Sequence, residues 1–355
     1  MSWRGNVRRV EPYTPGEQPK IPGVIKLNTN ENPYPPSPLV RMALNNFDVD
    51  VLKKYPDPTV SQLVTALAGY HQVDPEQVFV GVGSDDVLAM SFLTFFNGNK
   101  PIIFPDITYS FYDVWADLFK IDYEMKPLTK DFKINPEDYM VSCSGVVIAN
   151  PNAPTGEQLD LEVIERIIAA HRECVVIVDE AYADFGTVSC LELVNKYDNL
   201  LVVRTFSKSR SLAGSRIGYA VGSKELIKYL NDCKFSFNSY TMDSLTIALG
   251  VASVADDAYF KETCAKVIKT RENTKEALKS MGFSMPDSQT NFVFATHESV
   301  PAEVIFEELK KRNIFVRYFK KPRINNYLRI SIGTDDEMLT LIRNLEEIIE
   351  KQKGE

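Results

Sequence analysis

Hydrophobic and polar positions change period repeatedly along this chain, and the changes mark out its elements. From residue 59 onward, short apolar runs alternate with longer mixed segments. The runs QVFVG (77–81), KPIIFP (100–105), SGVVIAN (144–150), CVVIVD (174–179), NLLVVRT (199–205) and RIGYAVGS (216–223) are rich in Val, Ile, Leu and Phe. That pattern belongs to strands buried on both faces. Between them, TVSQLVTALAGYH (59–71), SDDVLAMSFLTFF (84–96), YSFYDVWADLF (109–119) and LEVIERIIAAHRE (161–173) space their apolar residues as helices do. Ser84 and Asp85 suit the start of the second of these helices. Strands alternating with amphipathic helices predict an α/β fold, a mostly parallel sheet covered on both faces.

The flanks read differently. Residues 1–45 are polar and proline-rich, and Pro33, Pro35, Pro36 and Pro38 predict an extended segment without regular helix. A long helix is expected from about Asp256 to Met281. Beyond Gly282, TNFVFATH (290–297), NIFVRYF (313–319) and YLRISIG (327–333) read as strands, and VIFEELKKRN (304–313) and EMLTLIRNLEEIIEKQ (337–352) as helices. These make a compact α+β unit completed by the N-terminal segment. The expected division is a large domain, 46–270, and a smaller discontinuous one, 1–45 with 271–355.

Composition narrows the partners. With 355 residues, 44% of them hydrophobic, the chain can build a large core or two domains. A net charge of −8 and the lack of a long basic run argue against nucleic acid. No apolar run approaches the ~20 residues of a membrane span, and MSWRGNVRRVEPYTPGEQP lacks the apolar core of a signal peptide. Cys143, Cys174, Cys190, Cys233 and Cys264 form no CxxC pair and fit a reducing cytoplasm. Cys143 and Cys174 read as small core residues. His71, His171 and His297 read as surface residues without ligand spacing, so no metal is expected.

The chemistry lies at strand ends. Lys208 follows NLLVV within RTFSKSRSLAGSRIG (204–218), flanked by Thr205, Ser207 and Ser209, with Arg216 after it. Asp179 and Tyr182 follow VVIV in VVIVDEAYADF (175–185). A lysine amine condenses with an aldehyde, and hydroxyls with an arginine hold a phosphate. A buried carboxylate pairs with a protonated pyridine nitrogen, and a phenol bonds a ring oxygen. Together these are the requirements of pyridoxal 5'-phosphate, and ligands of open parallel sheets gather at the carboxyl ends of strands.

Taken together, LNTNENPYPPSP (27–38), KYPDP (54–58), GVGSDD (81–86), PDITYSFY (105–112), NPNAPTG (150–156), VDEAYADF (178–185), the Lys208 loop and YLRISIGT (327–334) resemble the fold-type I pyridoxal-phosphate enzymes of the aspartate aminotransferase superfamily, and within it the histidinol-phosphate aminotransferases. The resemblance runs from Tyr13 to Thr334. It implies a large domain with a mostly parallel seven-stranded sheet, a smaller discontinuous α+β domain, and a homodimer with active sites at its interface. It implies that Lys208 holds the cofactor covalently and then moves a proton, that Asp179 pairs with the pyridine nitrogen, and that Tyr182 bonds the ring oxygen. Tyr109 would stack on the ring, its alternative being a core aromatic of helix 109–119. Thr205, Ser207 and Arg216, with backbone N–H groups of Ser84 and Asp85, would hold the phosphate, and Tyr55 would reach the phosphate bound by the other subunit. Arg329, with Arg317, Tyr13 and Asn30, would bind the anionic end of the substrate. The family places Asn directly before Pro-Thr-Gly. Here Ala153 stands there, so either Asn152 takes the role or Tyr182 acts alone.

The implied reaction moves an amino group from L-histidinol phosphate to 2-oxoglutarate, in histidine biosynthesis. An aromatic amino-acid aminotransferase and a threonine-phosphate decarboxylase share the fold and are the rivals. A ligand-sensing regulator would carry a DNA-binding domain, and no helix-turn-helix pattern appears.

Overall fold

In the computed structural model, which describes residues 2–20 and 22–354, strand β1 (Ile25–Leu27) and helix α1 (Pro38–Asn45) lie in the N-terminal segment. There follow α2 (Ser61–His71), β2 (Val78–Gly81), α3 (Ser84–Phe95), β3 (Ile102–Pro105), α4 (Tyr112–Phe119), β4 (Tyr123–Lys126), β5 (Gly145–Ala149), α5 (Leu161–Ala170), β6 (Val175–Asp179), β7 (Leu200–Thr205) and β8 (Gly218–Gly222). The chain continues through α6 (Lys224–Phe237), α7 (Ser244–Ala255), α8 (Asp257–Ser280), β9 (Phe283–Ser284), β10 (Phe292–His297), α9 (Ala302–Lys311), β11 (Ile314–Tyr318), β12 (Leu328–Ser331) and α10 (Asp335–Gly354).

Two sheets organise these elements. The larger has seven strands in the order β2-β8-β7-β6-β5-β3-β4, with β8 alone running against its neighbours. The smaller has five, β1-β11-β12-β10-β9. Alternation along each central strand serves two cores. Val176 and Val178 face α2, α5 and α7 through Leu63, Ile164 and Leu249, while Ile177 faces α3, α4 and α6 through Leu88, Trp115 and Leu230. Ile177 has no exposed surface, and its truncation to Ala should cost about 2–5 kcal/mol through lost burial and a cavity. A third core joins the smaller sheet to α8, α9 and α10 through Val267, Ile305 and Leu341. No helix among the described residues is long and apolar enough to cross a membrane.

The structure departs from the sequence reading at several points. Proline does not prevent a helix at 38: Ser37 caps α1 by accepting the Val40 N–H, and Pro38 occupies its first turn, where the missing N–H costs nothing. Helix 109–119 starts three residues later, at Tyr112, so Tyr109 lies in the turn before it. The edge strand β4 and helices α6 and α7 carried no assignment, because β4 is short and half-polar and α7 is apolar on nearly every side. The histidines are not surface residues. His171 and His297 are buried with backbone partners, and His71 Nε2 lies 2.8 Å from the Tyr219 hydroxyl. Cys143 and Cys174 are partly buried, and Cys143 packs against the margin of the first core.

Candidate active site

The carboxyl ends of β5, β6 and β7, with the start of α3, surround a cavity of about 170 Å³. Its lining contains Ser84, Asp85, Tyr109, Asp179, Tyr182, Thr205, Ser207, Lys208 and Arg216. Sequence reasoning had singled out all of these, and the parallel register explains their meeting. Ala149, the last residue of β5, pairs with Asp179 on β6, and Asp179 with Val203 on β7, so the loops that follow each strand emerge side by side.

One end of the cavity is built for a phosphate. Gly83 caps α3 without a side chain, and the first-turn N–H groups of Ser84 and Asp85 have no partner within the helix. At φ +88° Gly83 is in left-handed space, and a Cβ there would lie 2.5 Å from Arg216 Nη2. Arg216 is oriented by the Asp85 carboxylate at 3.2 Å and the Ser207 hydroxyl at 3.4 Å. The Thr205 hydroxyl accepts the Ser207 N–H at 3.1 Å and donates to the Ser207 Oγ at 3.0 Å. Backbone donors, two hydroxyls and a guanidinium thus converge on one place.

At the other end Asp179 is 5% exposed. It accepts from the Tyr112 hydroxyl at 2.8 Å and the Ala181 N–H at 3.1 Å. Burial raises its pKa from the ordinary 3.8 to about 6 against those two bonds. A cation beside it, such as a protonated pyridine, would reverse that rise. The Lys208 amine lies between the two ends, 5.8 Å from the centre of the Tyr182 ring, and donates to the Thr29 carbonyl at 3.2 Å. These residues fit pyridoxal phosphate at each of its polar groups.

Several contacts were not legible in motifs. Tyr112, wholly buried on α4, holds Asp179. Asn32 clamps the Lys208 loop by donating to the carbonyls of Lys208 and Ser209 at 3.0 and 3.2 Å. Thr29 and Glu31 line the cavity from the N-terminal segment. Beneath the loop, Arg204 bridges Glu180 at 3.4 Å and Asp184 at 2.8 Å, tying the segment after β6 to β7. The signal for these was proximity to the quoted motifs, but no spacing rule marks which neighbour turns inward.

Other residues take different places from those expected. Asn152 does not line the cavity. Its amide donates to the Ile107 carbonyl and the Thr155 hydroxyl, and its oxygen accepts from Thr108; Ala153 faces the cavity in its place. Asn30 is 1% exposed and engaged with protein groups, not open to a substrate. Its N–H is accepted by the Ser331 hydroxyl, which therefore donates its own proton to Asn30 Oδ1. That leaves Nδ2 to donate to the Tyr182 hydroxyl at 3.0 Å, so the Tyr182 proton is free to point into the cavity. Tyr109 donates to Asp85 at 2.7 Å while packing on Phe111, Tyr112 and Trp115, so it is both a cavity wall and a core aromatic. Tyr55 is 82% exposed against Tyr240, outside the cavity of its own chain.

Arg329 comes from the smaller sheet, opposite Arg317 on β11. It donates to the Asn28 carbonyl at 3.0 Å, and its Nε is sealed from solvent without a partner. Among the described residues no carboxylate pairs with it. Burial holds its pKa below the ordinary value, with the Arg317 charge adding to that and Tyr182, Tyr13 and Tyr109 opposing. Tyr13 stacks on Phe111 at 4.2 Å, and Arg317 reaches the Thr14 carbonyl at 3.4 Å. A desolvated guanidinium without a counterion keeps unused capacity to pair with an anion.

Known proteins agree with this geometry. The family profile of aminotransferase class I and II matches residues 22–345. The chain is 50% identical over 353 residues to the histidinol-phosphate aminotransferase of Lactococcus lactis subsp. cremoris, covering 99% of each. It is 51% identical over 352 residues to histidinol-phosphate aminotransferase 1 of Hydrogenovibrio crunogenus, again covering 99% of each. The crystal structure of the histidinol-phosphate aminotransferase of Sinorhizobium meliloti in complex with pyridoxal-5'-phosphate superposes with a TM-score of 0.85 at 25% identity, over 93% of this chain and 91% of that one. By its strand-end lysine and aspartate, its phosphate cradle and these likenesses, the chain belongs to the class I and II aminotransferases.

Proposed function

We propose that this chain is a histidinol-phosphate aminotransferase that uses pyridoxal phosphate to exchange an amino group between L-histidinol phosphate and 2-oxoglutarate. The observation that carries the reading is Arg329, a buried guanidinium without a counterion, outside the cavity lining but in electrostatic reach of its wall residues Tyr182 and Tyr109. Histidinol phosphate brings a distal phosphate and glutamate a distal carboxylate, and the planar fork of one arginine can pair with either. When bound, pyridoxal phosphate supplies an aldehyde for the amino group and a ring that draws electrons from the substrate Cα.

The protein's own groups do the rest. Ser84 and Asp85 N–H, Thr205, Ser207 and Arg216 bind the cofactor phosphate. Asp179 accepts the pyridine N–H and keeps its proton in place. Tyr182, its lone pair taken by Asn30, donates to the ring oxygen without help from an Asn at 153. The Lys208 amine would hold the cofactor's aldehyde carbon and, when free, would serve as the base that moves the substrate Cα proton. Tyr109, a wall of the cavity, would cover one face of the ring. Asn32 and the Arg204 network hold the Lys208 loop still.

The same proposal includes a cytoplasmic homodimer, with residues 46–270 as the cofactor domain and 1–45 with 271–355 as the smaller one. Val49, Leu52, Tyr55, Phe237 and Tyr240 are exposed, and Tyr55 packs on Tyr240, apolar surface suited to a second copy. Tyr55 then reaches the partner's cofactor phosphate. Mixing an inactive Lys208→Ala variant with an inactive Tyr55→Ala variant should restore activity, since one site of each hybrid is whole. A fully active monomer in sedimentation would refute this.

The substrate assignment is tested by single-turnover kinetics of each half-reaction. Histidinol phosphate and glutamate should both react, and Arg329→Lys, which keeps charge but loses the fork, should slow both by about 10–100-fold while cofactor content stays full. Phenylalanine reacting far faster than histidinol phosphate would favour the aromatic aminotransferase. Loss of carbon dioxide from threonine phosphate would favour the decarboxylase.

A further inference from the structure

The amino-terminal ends of β5 and β6, opposite the cavity, carry a second reactive cluster. Cys143 lies two residues before β5, and Cys174 immediately precedes β6. β5 and β6 are neighbours, with Gly145 paired to Val175, and the turns that lead into the two strands bring the two sulfurs to 4.0 Å. Both thiols are free and half-exposed. His171, the residue after α5, completes the group. Its Nδ1 lies 2.9 Å from the Ile167 carbonyl and its Nε2 3.1 Å from the Val141 carbonyl. Both neighbours only accept. A neutral imidazole has one N–H and satisfies one of them; the imidazolium satisfies both. The backbone therefore selects a cation beside Cys143.

Charge then divides the two thiols. Cys143 is lowered, first by the hydrogen bond from the Cys174 thiol and then, against burial, by His171. His171 rises to about 9, with neighbouring Cys143 the largest cause and the Ile167 and Val141 carbonyls adding to it against burial. Cys174 is pushed above its ordinary range by the Cys143 thiolate and by burial, with Lys100 opposing weakly. An attacking thiolate beside a protonated resolving thiol is the arrangement that peroxide-sensitive cysteines use.

We propose that Cys143 and Cys174 are a peroxide-oxidised pair that closes to an intramolecular disulfide and is reopened by thiol reductants. The Cys143 thiolate attacks one oxygen of hydrogen peroxide. An S–O bond forms, the O–O bond breaks, and the leaving hydroxide takes the His171 proton to become water. Cys143 is now a sulfenic acid, two electrons more oxidised. Its loss of charge eases deprotonation of Cys174, whose sulfur attacks Cys143. The S–S bond forms, the S–O bond breaks, and hydroxide leaves with the Cys174 proton as water. A dithiol and one peroxide thus yield a disulfide and two waters.

The test uses the intact cofactor-loaded enzyme exposed to graded hydrogen peroxide, followed by intact mass, alkylation and peptide mapping. Wild-type protein should become two hydrogens lighter, its five alkylatable thiols should fall to three, and the Cys143–Cys174 peptide should be recovered and then lost on reduction. Cys174→Ser should stop one oxygen heavier at Cys143 and react with a sulfenic-acid probe, and Cys143→Ser should not change mass. Untreated turnover of both variants should match wild type, because neither residue lies near the cavity. Mapping in the unmodified protein needs no variant and stands even if one fails to fold. Five thiols persisting after treatment, a bond mapped elsewhere or between two chains, or a Cys143→Ser variant that still loses two hydrogens would each overturn the proposal.

Discussion

Replacing Asp179 with Asn separates what this carboxylate costs the folded protein from what it does for the chemistry. The side chain is buried, and its pKa rises from 3.8 to about 6 chiefly through desolvation, with Tyr112 and Ala181 compensating in part and Asp85 and Glu180 adding to the rise. Without cofactor, the folded protein holds this proton more tightly than the unfolded chain does. The stability contribution is therefore full below about pH 4 and is lost as pH climbs through about 6. At about 1.4 kcal/mol per tenfold, the loss is about 1–2 kcal/mol near pH 5 and about 3 kcal/mol near pH 8. An asparagine carries no such burden, and its oxygen still accepts the Ala181 N–H while its amide faces the Tyr112 oxygen. Cofactor-free Asp179→Asn should thus resist urea better than cofactor-free wild type, by a margin that widens with pH. Adding pyridoxal phosphate should reverse the order, since only the carboxylate gains an ion pair with the ring nitrogen. With cofactor bound through its phosphate, the variant should lose most of its transamination rate. The assay is urea unfolding of both apoproteins across pH, with cofactor content and half-reaction rates measured in parallel. A cofactor-free variant less stable than wild type near pH 8, or a margin independent of pH, would refute the electrostatic argument. Near-normal rates in the folded, loaded variant would refute the catalytic one.

The purified enzyme should be yellow, and borohydride should fix the cofactor to Lys208; recovery on another lysine, or full turnover by Lys208→Ala, would contradict the assignment. Asn30→Ala removes the donor to Tyr182 and the acceptor of Ser331, and should cost about 1–3 kcal/mol of stability. It should also raise the pH midpoint of the visible band, because the ring oxygen is left with a loosely held donor; an unchanged midpoint would show that Tyr182 needs no such support.

Much of the site was legible because its groups are short-range and sit where a strand ends. Asp179 with Tyr182, and Thr205 with Ser207, Lys208 and Arg216, occupy two local segments whose apolar runs announce buried strands. A parallel sheet must deliver such ends to one edge, so the cofactor reading needed no coordinates. The larger α/β layer and the α+β character of the C-terminal unit followed from periodicity in the same way.

What remained was decided by contacts between distant segments, which leave no periodic trace. Asn30 and Tyr182 meet only because the turn after β1 folds against β12, where Ser331 fixes which end of the amide faces the phenol. Asn152 looked available to the ring oxygen, but Thr108 and the Ile107 carbonyl satisfy it more closely. Tyr112 became the support of Asp179 only once α4 started after the Tyr109 turn. Cys143 and Cys174 share no motif, and only the adjacency of β5 and β6 in the folded sheet, with the turns that lead into them, places them in contact. Sequence by itself determined which chemistry this chain carries, since residue type and local period are written in every segment. Tertiary structure decided which neighbour satisfies each polar atom, since hydrogen bonds and buried charges are settled by whatever the fold brings within about 3 Å.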